Sequence, residues 1–136
     1  DIRPFVWKKA ISNSGYNTLS ALTRLKVGPM LDCEEGRQLI KSVWAEGCAV
    51  AKALTGVDLW EEMLEELPRL REGFAKYYPS MAQDVLINRR QTEVELLNGA
   101  IVHYGRLLGI PTPVNEALTL MIQTIQKNYD MQYCKQ

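Results

Sequence analysis

Helix punctuation is the feature that most restricts this chain. Asp32-Cys33-Glu34-Glu35, Ser80-Met81-Ala82-Gln83 and Thr92-Glu93-Val94-Glu95 all have capping-box spacing. In that arrangement a short oxygen-bearing side chain, and an acid or amide three residues on, satisfy first-turn N–H groups. Asp58 is a further start signal, as is Thr112 followed by Pro113, and Gly56 and Gly109 are stops. No run of four or more residues alternates as a strand would, so the pattern predicts an all-α fold. The first helix is expected from about Arg3 to Leu25, with Pro4 in its first turn and "KVGPML" as a break. The second runs through "GRQLIKSVWAEGCAVAKAL" to Gly56, and the third starts after Asp58 and bends or restarts at Pro68. A short helix opens at Ser80 and is interrupted at "INRRQ"; a long one runs from Thr92 to Leu108; the last runs from Pro113 to Asn128 with Thr112 as its cap. With 136 residues, no internal repeat and no linker, residues 1–136 form one domain with room for a real core.

Sixteen basic and sixteen acidic residues cancel. That removes the electrostatic ground for a nucleic-acid partner or an anionic membrane surface. Cys33, Cys48 and Cys134 are scattered, form no CxxC pair and are accompanied by one histidine, so neither a zinc site nor a disulfide framework is expected. A reducing, cytoplasmic setting is the simplest reading. No stretch reaches transmembrane length and the N-terminus has no signal-peptide pattern. The chain opens at Asp1 without a Met, which sets the expectation of a fragment, a processed chain or a start lying upstream.

The most informative stretch is "KKAISNSGYN" in the first helix. At about 100° per residue, Lys9, Asn13, Tyr16, Asn17 and Ser20 fall within roughly a third of the circumference, while apolar residues cover much of the rest. A solvated face is the bland account, but such faces are normally Glu, Lys and Arg, and Asn is a mediocre helix former. An ammonium and two amides on consecutive turns are suited to one small polar ligand lying along the helix. Gly15, off that stripe, lets another helix approach closely.

Taken together, "KAISNSGYNTLSALT", "SMAQD", "TEVELLNG" and "GIPTPVN", in that order and at that spacing, resemble the C-terminal domain of the ketopantoate reductases (2-dehydropantoate 2-reductases) over about residues 3 to 125. The resemblance implies a multi-helix bundle of the 6-phosphogluconate dehydrogenase C-terminal-like type. It also implies the substrate side of an NADPH-dependent 2-keto-acid reductase, with 2-dehydropantoate as the default substrate in pantothenate and coenzyme A biosynthesis. The resemblance implies Lys9 as general acid, charged at neutral pH with an ordinary pKa of about 10.4; partial burial would lower that pKa and ease the transfer. Glu93 is implied as a catalytic residue that helps hold the lysine and pairs with substrate or cofactor hydroxyls. Asn13, Asn17 and Ser80 are implied as substrate-binding residues. Between Ser80 and Glu93 there is one residue more than the family pattern, in "LINRRQ". The Rossmann domain with GxGxxG that precedes this region in the family is absent from the chain, so NADPH is assigned to an N-terminal Rossmann partner domain. The isolated chain is expected to be inactive, and to be able to pair as a homodimer through apolar surface.

Structural readings stand beside these. Ser80 and Thr92 are also explained as caps, whereas Glu95 completes its box without Glu93 and leaves Glu93 free. Asn98-Gly99 inside a helix implies close packing against the Asn-bearing helix. His103 reads as a surface or core residue, Arg89 and Arg90 as a solvated pair or a phosphate contact, and "EEMLEE" as a solvated face. Trp7, Trp44, Trp60, Met81 and Met121 read as core or interface. A second functional class is a stand-alone helical interaction or dimerisation module; other 2-keto acids remain alternatives within the first.

Overall fold

Two long helices, α1 (Arg3–Thr23) and α3 (Glu34–Thr55), cross where each presents a glycine to a large side chain of the other. A Cβ on Gly15 would lie 2.5 Å from Trp44 Nε1, and one on Gly47 would lie 2.9 Å from Ile11 Cγ1. Trp44 and Ile11 are fully buried, and the Trp44 indole N–H donates to the Ser12 carbonyl at 3.4 Å. Around this crossing Ile40, Val43, Met63 and Leu118 complete the main core. The close approach foreseen at Gly15 is therefore the α1–α3 contact.

This is a computed structural model, and it describes residues 1–134. Among them the remaining helices are α2 (Val27–Asp32), α4 (Trp60–Phe74), α5 (Ser80–Gln83), α6 (Asn98–Leu108) and α7 (Pro113–Gln126). A π-helical turn, Asp84–Asn88, continues α5, and 3-10 turns lie at Val94–Leu96 and Tyr129–Met131. No strand occurs among the described residues, as the all-α expectation required. A second apolar cluster of Ala21, Met81, Ala82, Val85, Val94 and Ile122 joins the end of α1 to α5 and α7.

Several boundaries differ from the sequence expectation, each for a local reason. α1 ends at Thr23, where Arg24 turns left-handed with φ 64°. "KVGPML" is helix α2, because the N–H groups of Val27 and Gly28 find the carbonyls of Tyr77 and Ala75 at 3.2 and 2.9 Å. Asp32 ends α2 instead of capping α3: Arg71 Nε binds its carboxylate at 2.6 Å, a charge-assisted bond that outcompetes a cap. Asp58 stands one residue before Leu59, which holds the N-cap position of α4, but its carboxylate still accepts the first-turn Trp60 N–H at 3.0 Å. Pro68 lies inside an unbroken α4, held by Met63 and Leu70 in the core.

Ser80 is not a cap. Pro79 occupies the N-cap position of α5, and the Gln83 amide donates to the Tyr78 carbonyl at 2.8 Å instead of closing a box. Thr92 opens only the short 3-10 turn, accepting the Val94 N–H at 3.3 Å while donating to Gln126 Oε1 at 2.8 Å. Helix α6 therefore starts at Asn98, and Asn98-Gly99 opens it instead of interrupting it. Thr112 holds the N-cap position of α7 without a side-chain bond, and the capping oxygens come from Glu46 on α3. That helix stops at Gln126, two residues short of the expected end. Arg90 is ion-paired with Asp84 at 2.6 Å, and His103 is exposed. Within "EEMLEE" Glu61, Glu62 and Glu65 are exposed, whereas Met63 is core. Trp44 and Met81 are buried, Trp7 and Trp60 pack half-buried against the core, and Met121 is exposed.

Candidate functional site

α1 sinks as it runs. Lys9 is exposed, Asn13 is half-buried and Asn17 is buried at 5 % exposure. The polar stripe is thus a ramp from solvent into the molecule, and its deep end meets α5. Asn17 Oδ1 accepts the backbone N–H of Met81 at 3.4 Å, which ties the stripe to the start of α5 across 64 residues of sequence.

Two neighbouring cavities open along this ramp. The deeper, about 260 Å³, is walled by Asn13, Asn17 and Ser80 with Tyr16, Phe74 and Tyr77. The outer, about 300 Å³, is walled by Lys9, Asn13 and Ser12 with Phe5, Glu66 and Phe74. Asn13, Tyr16 and Phe74 belong to both. Lys9 lines the outer cavity, Asn17 and Ser80 line the deeper one, and Asn13 lines both. Glu93 does not line either cavity; it is exposed, just before the 3-10 turn. Lys9 is exposed and forms no ion pair among the described residues.

The charge beside the ramp is arranged by α4. Lys8, next to Lys9, reaches Glu62 at 3.4 Å and Glu66 at 3.7 Å, and Glu66 also meets Arg69 at 3.5 Å. Tyr16 donates its hydroxyl to Asn13 Oδ1 at 2.5 Å. Burial, and secondarily the Glu66 carboxylate, raise the Tyr16 phenol above its usual pKa, so it stays protonated and able to donate.

The segment bearing Glu93 is anchored on both sides. Upstream, the Thr92 N–H donates to Gln126 Oε1 at 3.1 Å, and Tyr129 Oη donates to the Arg90 carbonyl at 2.6 Å. Downstream, Asn98 donates to the Ser14 carbonyl at 3.1 Å and to Asn115 Oδ1 at 3.0 Å, fastening α6 to the ramp helix. The close helix packing against α1 foreseen at Asn98-Gly99 is not what links them: the tie is this side-chain bond, and a Cβ on Gly99 would meet Val94, Glu95 and Thr119 instead. Asn98 Oδ1 is buried without a hydrogen-bond partner among the described residues. The aromatic wall of Phe5, Phe74 and Tyr77 escaped the sequence reading, because those residues come from segments whose meeting depends on how α4 folds back. Tyr16 had a signal: it stands three residues after Asn13 on the same stripe. Among the described residues no three His, Cys, Asp or Glu side chains gather as a metal site would need, and no helix is long and apolar enough to cross a membrane.

Residues 1–126 match the family described as "Ketopantoate reductase PanE/ApbA C terminal". A 2-dehydropantoate 2-reductase of Pyrobaculum aerophilum is 37 % identical over 123 residues, covering 90 % of this chain and 43 % of that protein. Among solved structures, a PanE/ApbA family ketopantoate reductase from Ralstonia eutropha JMP134 superposes with a TM-score of 0.82 at 35 % identity, over 91 % of this chain and 41 % of that one. D-mandelate dehydrogenase, solved with NADH and anilino(oxo)acetate, gives a TM-score of 0.86 at 25 % identity, over 93 % of this chain and 41 % of that one. The chain thus spans less than half the length of the proteins it is similar to.

Proposed function

The chain belongs to the ketopantoate reductase C-terminal family, and we propose that it forms the substrate side of a nicotinamide-dependent 2-keto-acid reductase. The default reaction is 2-dehydropantoate to pantoate. The observation that carries this reading is the ramp: Lys9, Asn13 and Asn17 descend one helix face, and Ser80, from a distant segment, joins Asn13 and Asn17 in the deeper of the two adjacent cavities.

Each residue then has a task that follows from its chemistry. Reduction of a keto group builds negative charge on the carbonyl oxygen, and a cationic donor aimed there stabilises the charge and delivers the proton. Lys9 is that donor, and the product is a 2-hydroxy acid. Asn13 and Asn17 bind the oxygens of the substrate, and the Ser80 hydroxyl takes its carboxylate. Glu93 supplies a carboxylate for substrate or cofactor hydroxyls from its anchored loop.

The chemistry a bound reduced nicotinamide supplies is hydride at the keto carbon. The chain's fit to such a group rests on its outer cavity, where Phe5 and Phe74, 72 % and 51 % exposed, form an apolar lip beside the Lys9 ammonium. We assign NADPH by the family resemblance, held mainly by an N-terminal Rossmann domain of the same protein. The similar D-mandelate dehydrogenase was solved with NADH. Cover from that domain would also give Lys9 the burial this half lacks.

The test is Lys9→Ala in the protein at its full natural length. Turnover of 2-dehydropantoate should fall by at least about a hundredfold with a much smaller change in KM, the signature of a group that acts in the transition state. Near-normal turnover would remove Lys9 from the role.

A further inference from the structure

Both amide oxygens of the ramp are already engaged by the protein. Asn17 Oδ1 accepts from the Met81 backbone N–H, a group that can only donate, so the orientation of that amide is fixed. Asn13 Oδ1 accepts from the Tyr16 hydroxyl. Among the described residues neither amide NH2 has a hydrogen-bond partner, and both residues line the deeper cavity. Lys9, one turn further out, has three donors and no acceptor. Asn13 and Asn17 therefore leave their NH2 donors, not their bonded oxygens, to the cavity, beside the Tyr16 and Ser80 hydroxyls, which can donate or accept.

Resting on the reductase reading above, we propose that Tyr16 is a positioning residue that sets the specificity of the site: by holding the Asn13 amide oxygen, it presents the Asn13 NH2 to the ligand, so that this position selects a hydrogen-bond acceptor. A 2-oxo acid fills that position with a carboxylate or keto oxygen. The primary amide of the same skeleton exchanges one carboxylate oxygen for an NH2 and loses a bond where that NH2 meets the Asn13 donor. Without the Tyr16 hydroxyl, the Asn13 amide is free to turn over and offer its oxygen, and the discrimination collapses. Tyr16 also walls both cavities, so its ring stays against the ligand whichever cavity the substituent enters.

The experiment measures calorimetric dissociation constants for 3-methyl-2-oxobutanoate and for its primary amide, using the protein at its full natural length. Wild type should prefer the acid by about a hundredfold or more, and Tyr16→Phe should narrow that ratio at least about tenfold, chiefly by improving amide binding. Tyr16→Met, which keeps apolar bulk without a hydroxyl, should narrow it likewise and serves if the phenylalanine variant does not fold. In an Asn13→Ala background, removing the Tyr16 hydroxyl should leave the ratio unchanged, because the amide it orients is gone. Equal weakening of acid and amide in Tyr16→Phe, or an unaltered ratio, overturns the role given to Tyr16 while leaving the reductase reading intact. Wild-type protein that binds neither ligand overturns the reductase reading and this inference together.

Discussion

Glu46 caps a helix it does not belong to, and Asn115 is the residue it holds. One Glu46 oxygen accepts both the backbone N–H of Asn115, at 2.9 Å, and its side-chain amide, at 2.8 Å, while the other takes the Val114 N–H at 3.0 Å. The Asn115 amide also donates to the Val43 carbonyl, and its oxygen accepts from Asn98, which reaches back to Ser14 on the ramp helix. A carboxylate at a helix N-terminus thus anchors a buried chain of bonds through α3, α7, α6 and α1.

That arrangement predicts the cost of losing the carboxylate. Glu46→Ala leaves the Val114 and Asn115 N–H groups without an acceptor and takes from the Asn115 side-chain amide one of its two, and should destabilise the fold by about 2–3 kcal/mol. Glu46→Gln keeps one oxygen and should lose roughly half as much. Urea unfolding midpoints, compared at constant m, measure both.

Gly15→Ala should also be costly. The added methyl would lie 2.5 Å from a Trp44 ring that is fully buried and has no room to retreat. A loss of about 1–3 kcal/mol is expected from overpacking, with an altered tryptophan fluorescence spectrum. Unchanged stability would mean that α1 and α3 do not cross here.

Ser80→Ala separates a cap from a substrate contact. A capping serine costs about 1 kcal/mol when lost. Ser80 makes no capping bond and lines the deeper cavity, so its alanine variant should keep wild-type thermal stability. In the full-length protein its KM for the keto acid should rise about tenfold with a smaller effect on turnover.

Alkaline stability should reflect Cys48. Burial, with a lesser contribution from Asp58, pushes its thiol from 9.0 up to about 12. The folded state therefore holds this proton more tightly than the unfolded state. Stability is intact below pH 9 and falls as pH rises from there toward 12, at no more than about 1.4 kcal/mol per pH unit from this group. Cys48→Ala should flatten that part of the denaturation profile.

Much of this was legible in the sequence. Helical periodicity and stop signals carried the all-α fold, and the Lys9-Asn13-Asn17 spacing carried the stripe, because both depend on residues close in sequence. What escaped was set by partners far along the chain. Asp32 has the spacing of a cap, yet Arg71, brought in by α4, takes its carboxylate. Thr112 has the chemistry of a cap, yet the oxygens come from Glu46. "KVGPML" reads as a breaker because its donors find acceptors only at Ala75 and Tyr77. The cavity's aromatic wall belongs to the same class, and so does the location of Glu93 away from both cavities.

The slope of α1 has one more consequence. Its inner amides are seated by partners within this chain, whereas the ammonium at its outer end stands in solvent beside Phe5 and Phe74. On the proposed reading, the groups that sort a ligand are set in place before the group that would act on it is covered.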